Sequence, residues 1–189
     1  MVYCKSRDGK KFVTPETRLF ENRIVSFVKQ FTDESCEELQ MKLLCLDVGG
    51  KGKDQENISI YLNSGGGVVT AGLGLLNVIH SLDSKVDVVC VGQACSMGAV
   101  LLACTSGKRM AMKDSRIMIH QPLGGFNGQC SDIQLHAAEI QRLKEKLISM
   151  LADSTKGKVG FEEMEALCDR DNFLSASQAL ELGLIDEII

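Results

Sequence analysis

The chain has 189 residues, of which 44% are hydrophobic and 24% charged, and this is the composition of one globular domain with a sizeable core. Only two prolines accompany eighteen glycines, which argues against a disordered or linker-rich chain. The net charge of −4 comes from scattered charges of both signs, so we expect neither nucleic acid nor a membrane surface as partner. No apolar run reaches membrane-spanning length, and the N-terminus lacks the apolar core of a signal peptide.

In chain order, residues 1–16 are polar and of mixed charge, which predicts a mobile N-terminal arm ahead of a single domain over residues 17–189. Within that domain, apolar runs alternate with segments of helical periodicity, which favours an α/β fold with crossover connections. The predicted strands cover residues 23–28, 58–62, 86–91, 109–112 and 116–119. The predicted helices are one capped by Thr32 and Asp33, with Cys36, Leu39, Leu43 and Leu46 on its apolar face, and then 69–82, 97 to about 104, about 131–154, 161–168 and 175–182.

Two of these segments need a further remark. Gly49 to Lys53 is a loop of glycine and lysine without the full phosphate-loop pattern, so it is interpreted as a linker and not as a nucleotide site. The long helix predicted over about 131–154 has one apolar stripe, formed by Ile133, Ile140, Leu143, Leu147 and Leu151.

The eight cysteines invite a disulfide or metal interpretation, but none forms a C-x-x-C pair. The three histidines, His80, His120 and His136, are not spaced with them as zinc ligands. The cysteines fall mainly inside apolar strand and helix patterns, so they are predicted to be small buried hydrophobes in a reducing compartment. No metal and no cofactor is expected.

Ser96 lies in a run of small residues, Gly92 to Ala99, that follows the predicted strand 86–91 and opens a predicted helix. A hydroxyl in such a turn stands clear of the backbone, and free N–H groups beside it can stabilise an oxyanion. Taken singly, such a serine is more often structural, His120 at a strand end is more often a core histidine, and Asp171 fits a surface ion pair. Their combination with the glycine turn at 65–67 favours a hydrolase.

The three side chains have complementary chemistry. A serine hydroxyl is a poor nucleophile until an imidazole takes its proton, and the imidazole needs a carboxylate to fix its tautomer. The chain order here is Ser96, His120, Asp171, which differs from the orders in chymotrypsin, subtilisin and the α/β-hydrolases. Ala94 also stands where the α/β-hydrolase elbow has glycine, so those folds are disfavoured.

Three blocks of this sequence resemble the signature blocks of the Clp protease proteolytic subunit family, ClpP: Gly92 to Ala99, Met118 to Pro122, and Asp169 to Ala176. The turn and helix at 63–72 and the block at 183–186 are similar to the family as well, so that the likeness extends from about residue 17 to the end. It implies the ClpP/crotonase fold, a repeated ββα superhelix with the 131–154 helix projecting as a handle.

The resemblance also implies the roles of individual residues. Ser96 is the expected nucleophile, His120 the general acid and base, and Asp171 the group that orients His120. The backbone N–H groups of Gly67 and Met97 are expected to form the oxyanion hole, where glycine lets the backbone approach the reacting carbonyl. An extended substrate is expected to lie between the backbone around Val69 on one side and around Leu123 and Gly125 on the other.

Larger-scale properties follow from the same resemblance. The family assembles two stacked seven-membered rings, homomeric in the expected case, and an AAA+ unfoldase ATPase feeds unfolded polypeptide into the chamber. The expected compartment is the cytoplasm, or the matrix or stroma of an organelle after removal of a transit peptide. The side chains expected to line the ATPase-docking pocket are Tyr61, Val89, Val91, Met110 and Met112.

This chain departs from the family pattern at a few positions. Gly65 stands where the family has proline, which loosens the turn, and Cys95 replaces alanine as a packed thiol. Ser59 and Ser81 occupy places often held by aromatic residues, so weaker docking of a hydrophobic loop is expected.

Two other functions stay open at this point. A structural or regulatory subunit of a mixed ring would share the fold but would have lost triad residues, which are intact here. A crotonase-type acyl-CoA enzyme would share the fold and the oxyanion hole but would need no Ser-His-Asp set.

Overall fold

The structure is a computed structural model that describes residues 2–6, 9–48 and 56–189, so the predicted linker 49–53 lies outside the described residues. The strands are β1 (Val2–Ser6), β2 (Gly9–Val13), β3 (Ile24–Phe27), β4 (Ile58–Ser64), β5 (Val86–Cys95), β6 (Arg109–Ala111), β7 (Arg116–Ile119), β8 (Asn172–Ser175) and β9 (Glu187–Ile188). The helices are α1 (Pro15–Glu21), α2 (Asp33–Asp47), α3 (Val69–Ser81), α4 (Met97–Ala103), α5 (Cys130–Ser154), α6 (Phe161–Leu167) and α7 (Ala176–Leu182). The α/β class predicted from the sequence is confirmed.

The main sheet is parallel except at one edge. Strands β3, β4, β5, β6 and β9 are neighbours in that order and run parallel. Strand β5 is shared, because its residues 88–90 pair with β6 while its residues 93–95 pair with β7. Strand β8 then pairs antiparallel with β7. The carboxyl ends of β5 and β7 therefore lie side by side, which is where open α/β sheets form their sites.

Strand β5 is longer than predicted. Gly92, which was expected to begin the turn before α4, lies within the strand. The strand continues through Gly92 to Cys95. A Cβ at Gly92 would lie 3.0 Å from Oδ1 of Asn63, and that same oxygen accepts a hydrogen bond from the backbone N–H of Gln93 at 3.1 Å. Glycine at this position therefore makes room for the Asn63 side chain and does not turn the chain.

Helix α2 has the cap and the face that the sequence predicts. Thr32 accepts a hydrogen bond from the N–H of Ser35 at 3.1 Å, and Ser35 Oγ accepts one from the N–H of Thr32 at 3.0 Å, which completes a capping box. The predicted apolar face is buried in full, at Cys36, Leu39, Leu43 and Leu46. This helix covers the sheet beside α3.

Helix α5 is buried only near its C-terminal end. Leu147 and Leu151 of the predicted stripe are in the core, whereas Ile133 is 43% exposed. The helix has 25 residues and so a length of about 37 Å, more than the core it packs on, and its first two thirds extend beyond the domain. Periodicity identified the face of this helix, but only its last third finds a core to pack against.

The N-terminal region contains elements that the sequence analysis missed. Strands β1 and β2 pair antiparallel, and α1 follows with Thr14 as its N-cap and Pro15 at its first position. The mobility expected of residues 1–16 stays a prediction.

The cysteine prediction holds only in part. The described cysteines form no disulfide, but Cys45 and Cys130 are exposed, which corrects the expectation of burial at these two positions. Cys45 follows two leucines on α2 but lies off its buried face, and Cys130 is the first residue of α5, where the helix is exposed. No helix within the described residues combines the length and apolarity needed to cross a membrane.

Candidate active site

Ser96 occupies a strained connection between β5 and α4. Its φ of 55° and ψ of −121° are unusual for a residue with a side chain, and such values persist only where the surroundings hold them. The N–H of Ser96 donates to the carbonyl of Met118 at 2.8 Å, and its own carbonyl accepts from the N–H of Ala99 at 2.9 Å. The backbone on both sides of the hydroxyl is thus fixed by hydrogen bonds.

The glycine turn after β4 packs directly against this connection. A Cβ at Gly66, whose φ is +94°, would lie 2.7 Å from the Cβ of Ser96 and 3.1 Å from the backbone N of Met97. A Cβ at Gly67, whose φ is +147°, would collide with the backbone of Phe31. The structural need for glycine at 67 is therefore its contact with Phe31, and the residue that touches the Ser96 turn is Gly66.

Neither the backbone N–H of Gly67 nor that of Met97 has a hydrogen-bond acceptor in the described part of the chain. Met97 is the first residue of α4, where an N–H has no partner within the helix. Its side chain is held against Gly72 of α3, where an added Cβ would lie 2.5 Å from Cγ of Met97. Both N–H groups are thus available to a bound oxygen atom.

Ser96, His120 and Asp171 are brought together in one hydrogen-bonded chain. Oγ of Ser96 lies 2.8 Å from Nε2 of His120, and Nδ1 of His120 lies 3.0 Å from Oδ1 of Asp171. The pairing of Ile119 with Asn172 between β7 and β8 places His120 opposite Asp171. The His120 side chain is 13% exposed and that of Asp171 is 60% exposed.

The sequence matches a known protein family over nearly its whole length. The family model described as Clp protease matches residues 7–189. The chain belongs to the Clp protease family. The resemblance stated from the sequence blocks is thereby confirmed, as is the ClpP/crotonase-like fold. Membership supports a peptidase, a hydrolase that acts on peptide bonds.

A narrow cleft of about 20 Å³ lies beside Ser96 and His120. Val69, one of the residues predicted to flank the substrate, lines it. The rest of its wall is apolar and includes Val100, Leu147, Ile148 and Leu151. The sequence analysis gave the C-terminal part of α5 no role at the site, and the apolar stripe that includes Leu147 and Leu151 was the signal that could have pointed to this cleft.

A wider cavity of about 480 Å³ also borders the triad. His120, Leu123, Asp169 and Asp171 are among its lining residues, and Leu123 is 87% exposed. Gly125 lies two residues further along the same exposed segment, and nothing within the described residues comes within 4 Å of the position its Cβ would take. Val69 and Leu123, two of the predicted substrate-flanking residues, therefore line two cavities that both reach His120.

Three of the residues predicted to line the docking pocket are neighbours on adjacent strands of the sheet. Tyr61 of β4 pairs with Val89 of β5, and Val89 pairs with Met110 of β6, so the three side chains share one face. Tyr61 is 36% exposed while Val89 is buried beneath its neighbours. Val91 and Met112 continue the same face and are half-buried.

A larger cavity, of about 530 Å³, shares no lining residue with the cleft beside Ser96. It contains an ion pair whose groups are already satisfied, because Arg109 donates to both carboxylate oxygens of Asp186 and to the carbonyl of Ser154. The Arg109 guanidinium holds the pKa of Asp186 well below its usual range. Within the described residues, no three His, Cys, Asp or Glu side chains are grouped to hold a metal ion.

Proposed function

We propose that this chain is the proteolytic subunit of an ATP-dependent protease and hydrolyses unfolded polypeptides as a serine endopeptidase. The observation that carries the proposal is the chain of hydrogen bonds from Ser96 through His120 to Asp171, which begins on a strained turn. Membership of the Clp protease family supports the same reaction class.

The proposed first step is attack by Ser96 on the peptide carbonyl. With the imidazole proton on Nδ1 and donated to Asp171, Nε2 of His120 is free to accept the proton of the Ser96 hydroxyl. Asp171 keeps this tautomer and stabilises the imidazolium that forms. Burial raises the pKa of the neighbouring Cys95 thiol, so that group stays protonated and does not compete as a nucleophile.

The tetrahedral intermediate carries its negative charge on the former carbonyl oxygen. The N–H groups of Gly67 and Met97 are the proposed donors to it, and each donor of this kind contributes about 3–4 kcal/mol in related hydrolases. His120 then donates its proton to the leaving amine, and an acyl-enzyme remains on Ser96. Water, deprotonated by His120, hydrolyses this ester and restores the hydroxyl.

The proposed substrate is an extended chain that pairs with backbone groups. Val69 lines the cleft beside Ser96 and Leu123 lines the wider cavity beside His120 and Asp171, so the proposed chain would pass the triad between them, and the apolar wall of the cleft favours an apolar side chain next to the scissile bond. Backbone pairing provides affinity with little sequence selectivity, which suits degradation of unfolded chains.

Assembly into two stacked seven-membered rings is part of the proposal. Its support is the exposed apolar surface along the first part of α5 and the segment before it, where Leu135 is 70% and Phe126 is 46% exposed. An AAA+ unfoldase is the proposed partner at the face of Tyr61, Val89 and Met110. Cytoplasm, matrix or stroma are the proposed locations, and the seven cysteines described as free thiols suit a reducing compartment of this kind.

The test is labelling by a serine-reactive fluorophosphonate, followed by sedimentation of the labelled species. We expect one label for each subunit on a large assembly, loss of the label in Ser96→Ala, and cleavage of a fluorogenic peptide by the unsubstituted protein only. Assembly without labelling or cleavage would favour a structural subunit of a mixed ring. A monomer that neither labels nor cleaves would overturn both the assembly and the chemistry.

A further inference from the structure

We propose that Arg116 is a positioning residue, which holds the strand that carries Asp171 against the strand that carries Ser96. The inference rests on the proposed function, because it concerns the geometry of the same three side chains. It starts from a difference in support: β5 is paired on both sides, whereas β8 has four residues and pairs with β7 alone among the described strands.

Strands β5, β7 and β8 are neighbours beside the triad, and the side chains of residues paired across them project from the same face of the sheet. Gln93 of β5 pairs with Arg116 of β7, which pairs with Ser175 of β8. Cys95, Met118 and Phe173 form the next row, and His120 and Asp171 follow at the end of the face. Side chains two residues apart on a strand point to the same side, so Arg116 and His120 project from the same face.

Arg116 spans this face from one outer strand to the other. Its Nε and Nη2 atoms both donate to Oε1 of Gln93, at 3.2 and 2.8 Å. Its guanidinium carbon lies 5.4 Å from the centre of the Phe173 ring, within the range of a cation–π contact. One side chain thus contacts β5 and β8 at once, across the strand between them.

The position of these contacts relates them to the triad. Phe173 is two residues after Asp171, and Gln93 is three residues before Ser96. The segment before Asp171 is held separately, because Gln121 donates to the carbonyl of Asp169 at 2.8 Å. Arg116 therefore supplies a side-chain contact on the other side of Asp171, where β8 is otherwise held by its backbone ladder, by the buried Leu174 and by the hydrogen bond that Nδ2 of Asn172 donates to the carbonyl of Leu167 at 3.1 Å.

The choice of arginine has a physical reason. The planar guanidinium can donate to Gln93 along its edge and present its face to an aromatic ring, whereas a lysine ammonium can do only one of these well. The cost of losing this contact is felt at Asp171, whose hydrogen bond to His120 depends on the position of β8. A displacement of about 1 Å in a catalytic group lowers the rate by about a hundredfold, so we expect a loss of about 10- to 100-fold in kcat.

The experiment compares Arg116→Ala and Arg116→Lys with Arg18→Ala, which removes an exposed arginine of α1 that is paired with Glu21. For a fluorogenic peptide we expect both Arg116 variants to lower kcat with little change in KM, and the Arg18 variant to match the unsubstituted protein. In an Asp171→Asn background, Arg116→Ala should cause no further loss, because the two residues act through one interaction. A purely structural role would instead give additive losses.

Hydrogen–deuterium exchange provides a readout that is independent of activity. In Arg116→Ala the backbone amides of 172–175 should exchange at least tenfold faster while those of α2 stay unchanged. Unchanged exchange in 172–175, full kcat in Arg116→Lys, or additive losses with Asp171→Asn would each overturn the inference. If the unsubstituted protein neither cleaves nor labels, the proposed function fails, and the exchange rates alone decide whether Arg116 holds β8.

Discussion

Ser96 and Asp171 end the same hydrogen-bonded chain, but the molecule holds them in different ways. Ser96 is fixed by backbone hydrogen bonds, by the packed glycine turn and by buried residues on either side. Asp171 precedes a short outer strand, is 60% exposed, and in the described part of the chain has His120 as its only hydrogen-bond partner. Around Ser96, the same contacts therefore support both stability and activity. Asp171, in contrast, is expected to contribute to activity with little effect on stability.

The largest expected effect lies on the carboxylate side. Asp171→Asn should lower kcat by about 10⁴-fold, because the amide favours the wrong tautomer of His120. The free energy of unfolding should stay within about 0.5 kcal/mol, as is usual for exposed side chains. Peptide hydrolysis and thermal unfolding of the same preparation check both values. A marked drop in the unfolding midpoint would mean that Asp171 also supports the fold, and the comparison would break.

On the nucleophile side, a smaller change in activity should come with a loss of stability. Gly67→Ala places a Cβ against the backbone of Phe31, so we expect about 1–3 kcal/mol of destabilisation from overpacking. Displacement of the Gly67 N–H should cost about 10²- to 10³-fold in kcat. Both follow from one contact and should be measured by unfolding and by peptide hydrolysis.

Gly65→Ala is the matched control for that substitution. The nearest atom to a Cβ at Gly65 is Nε2 of Gln93, at 3.9 Å, so the side chain fits. The variant should gain about 0.4–1 kcal/mol in the free energy of unfolding, because the unfolded chain loses freedom. Equal behaviour of the two alanine variants would show that the glycine turn does not depend on close packing at Gly67.

The smallest expected effect concerns the access of thiol reagents to Cys95, the residue before Ser96. Cys95 is 4% exposed and its thiol pKa is raised by burial, whereas Cys45 is exposed on α2. Iodoacetamide should modify Cys45 of the folded protein and leave Cys95 intact, with peptide hydrolysis preserved. Mass spectrometry of proteolytic fragments locates the label. Modification of Cys95 in parallel with lost activity would show that this side opens to solvent.

The sequence predicted the local parts of the site and missed those that depend on distant pairing. Ser96, His120 and Asp171 lie in short blocks whose chemistry is readable, and the structure brings them together. The contacts of Arg116 with Gln93 and Phe173 were not predictable, because they require the antiparallel pairing of β7 with β8, and β8 itself escaped detection. Four residues without a clear alternation give too weak a strand signal.

Two other differences have the same origin. A glycine such as Gly92 is typical of a turn, but here it makes room for Asn63 on the neighbouring strand β4. Ile133 has the spacing of a core residue but lies where α5 has left the domain. In both cases the local sequence pattern is real, but the contacts of the residue depend on elements that are distant in the sequence.

Helix α5 packs against the core only near its C-terminal end. Its last third forms a wall of the cleft beside Ser96, which at about 20 Å³ has room for about one water molecule. The walls of the cleft would therefore have to move apart to admit a substrate side chain, and Leu147, Ile148 and Leu151 form one of these walls. The remaining two thirds of the helix are mostly exposed, so in the proposed assembly a neighbouring subunit that contacts them would act on the same helix that forms this wall.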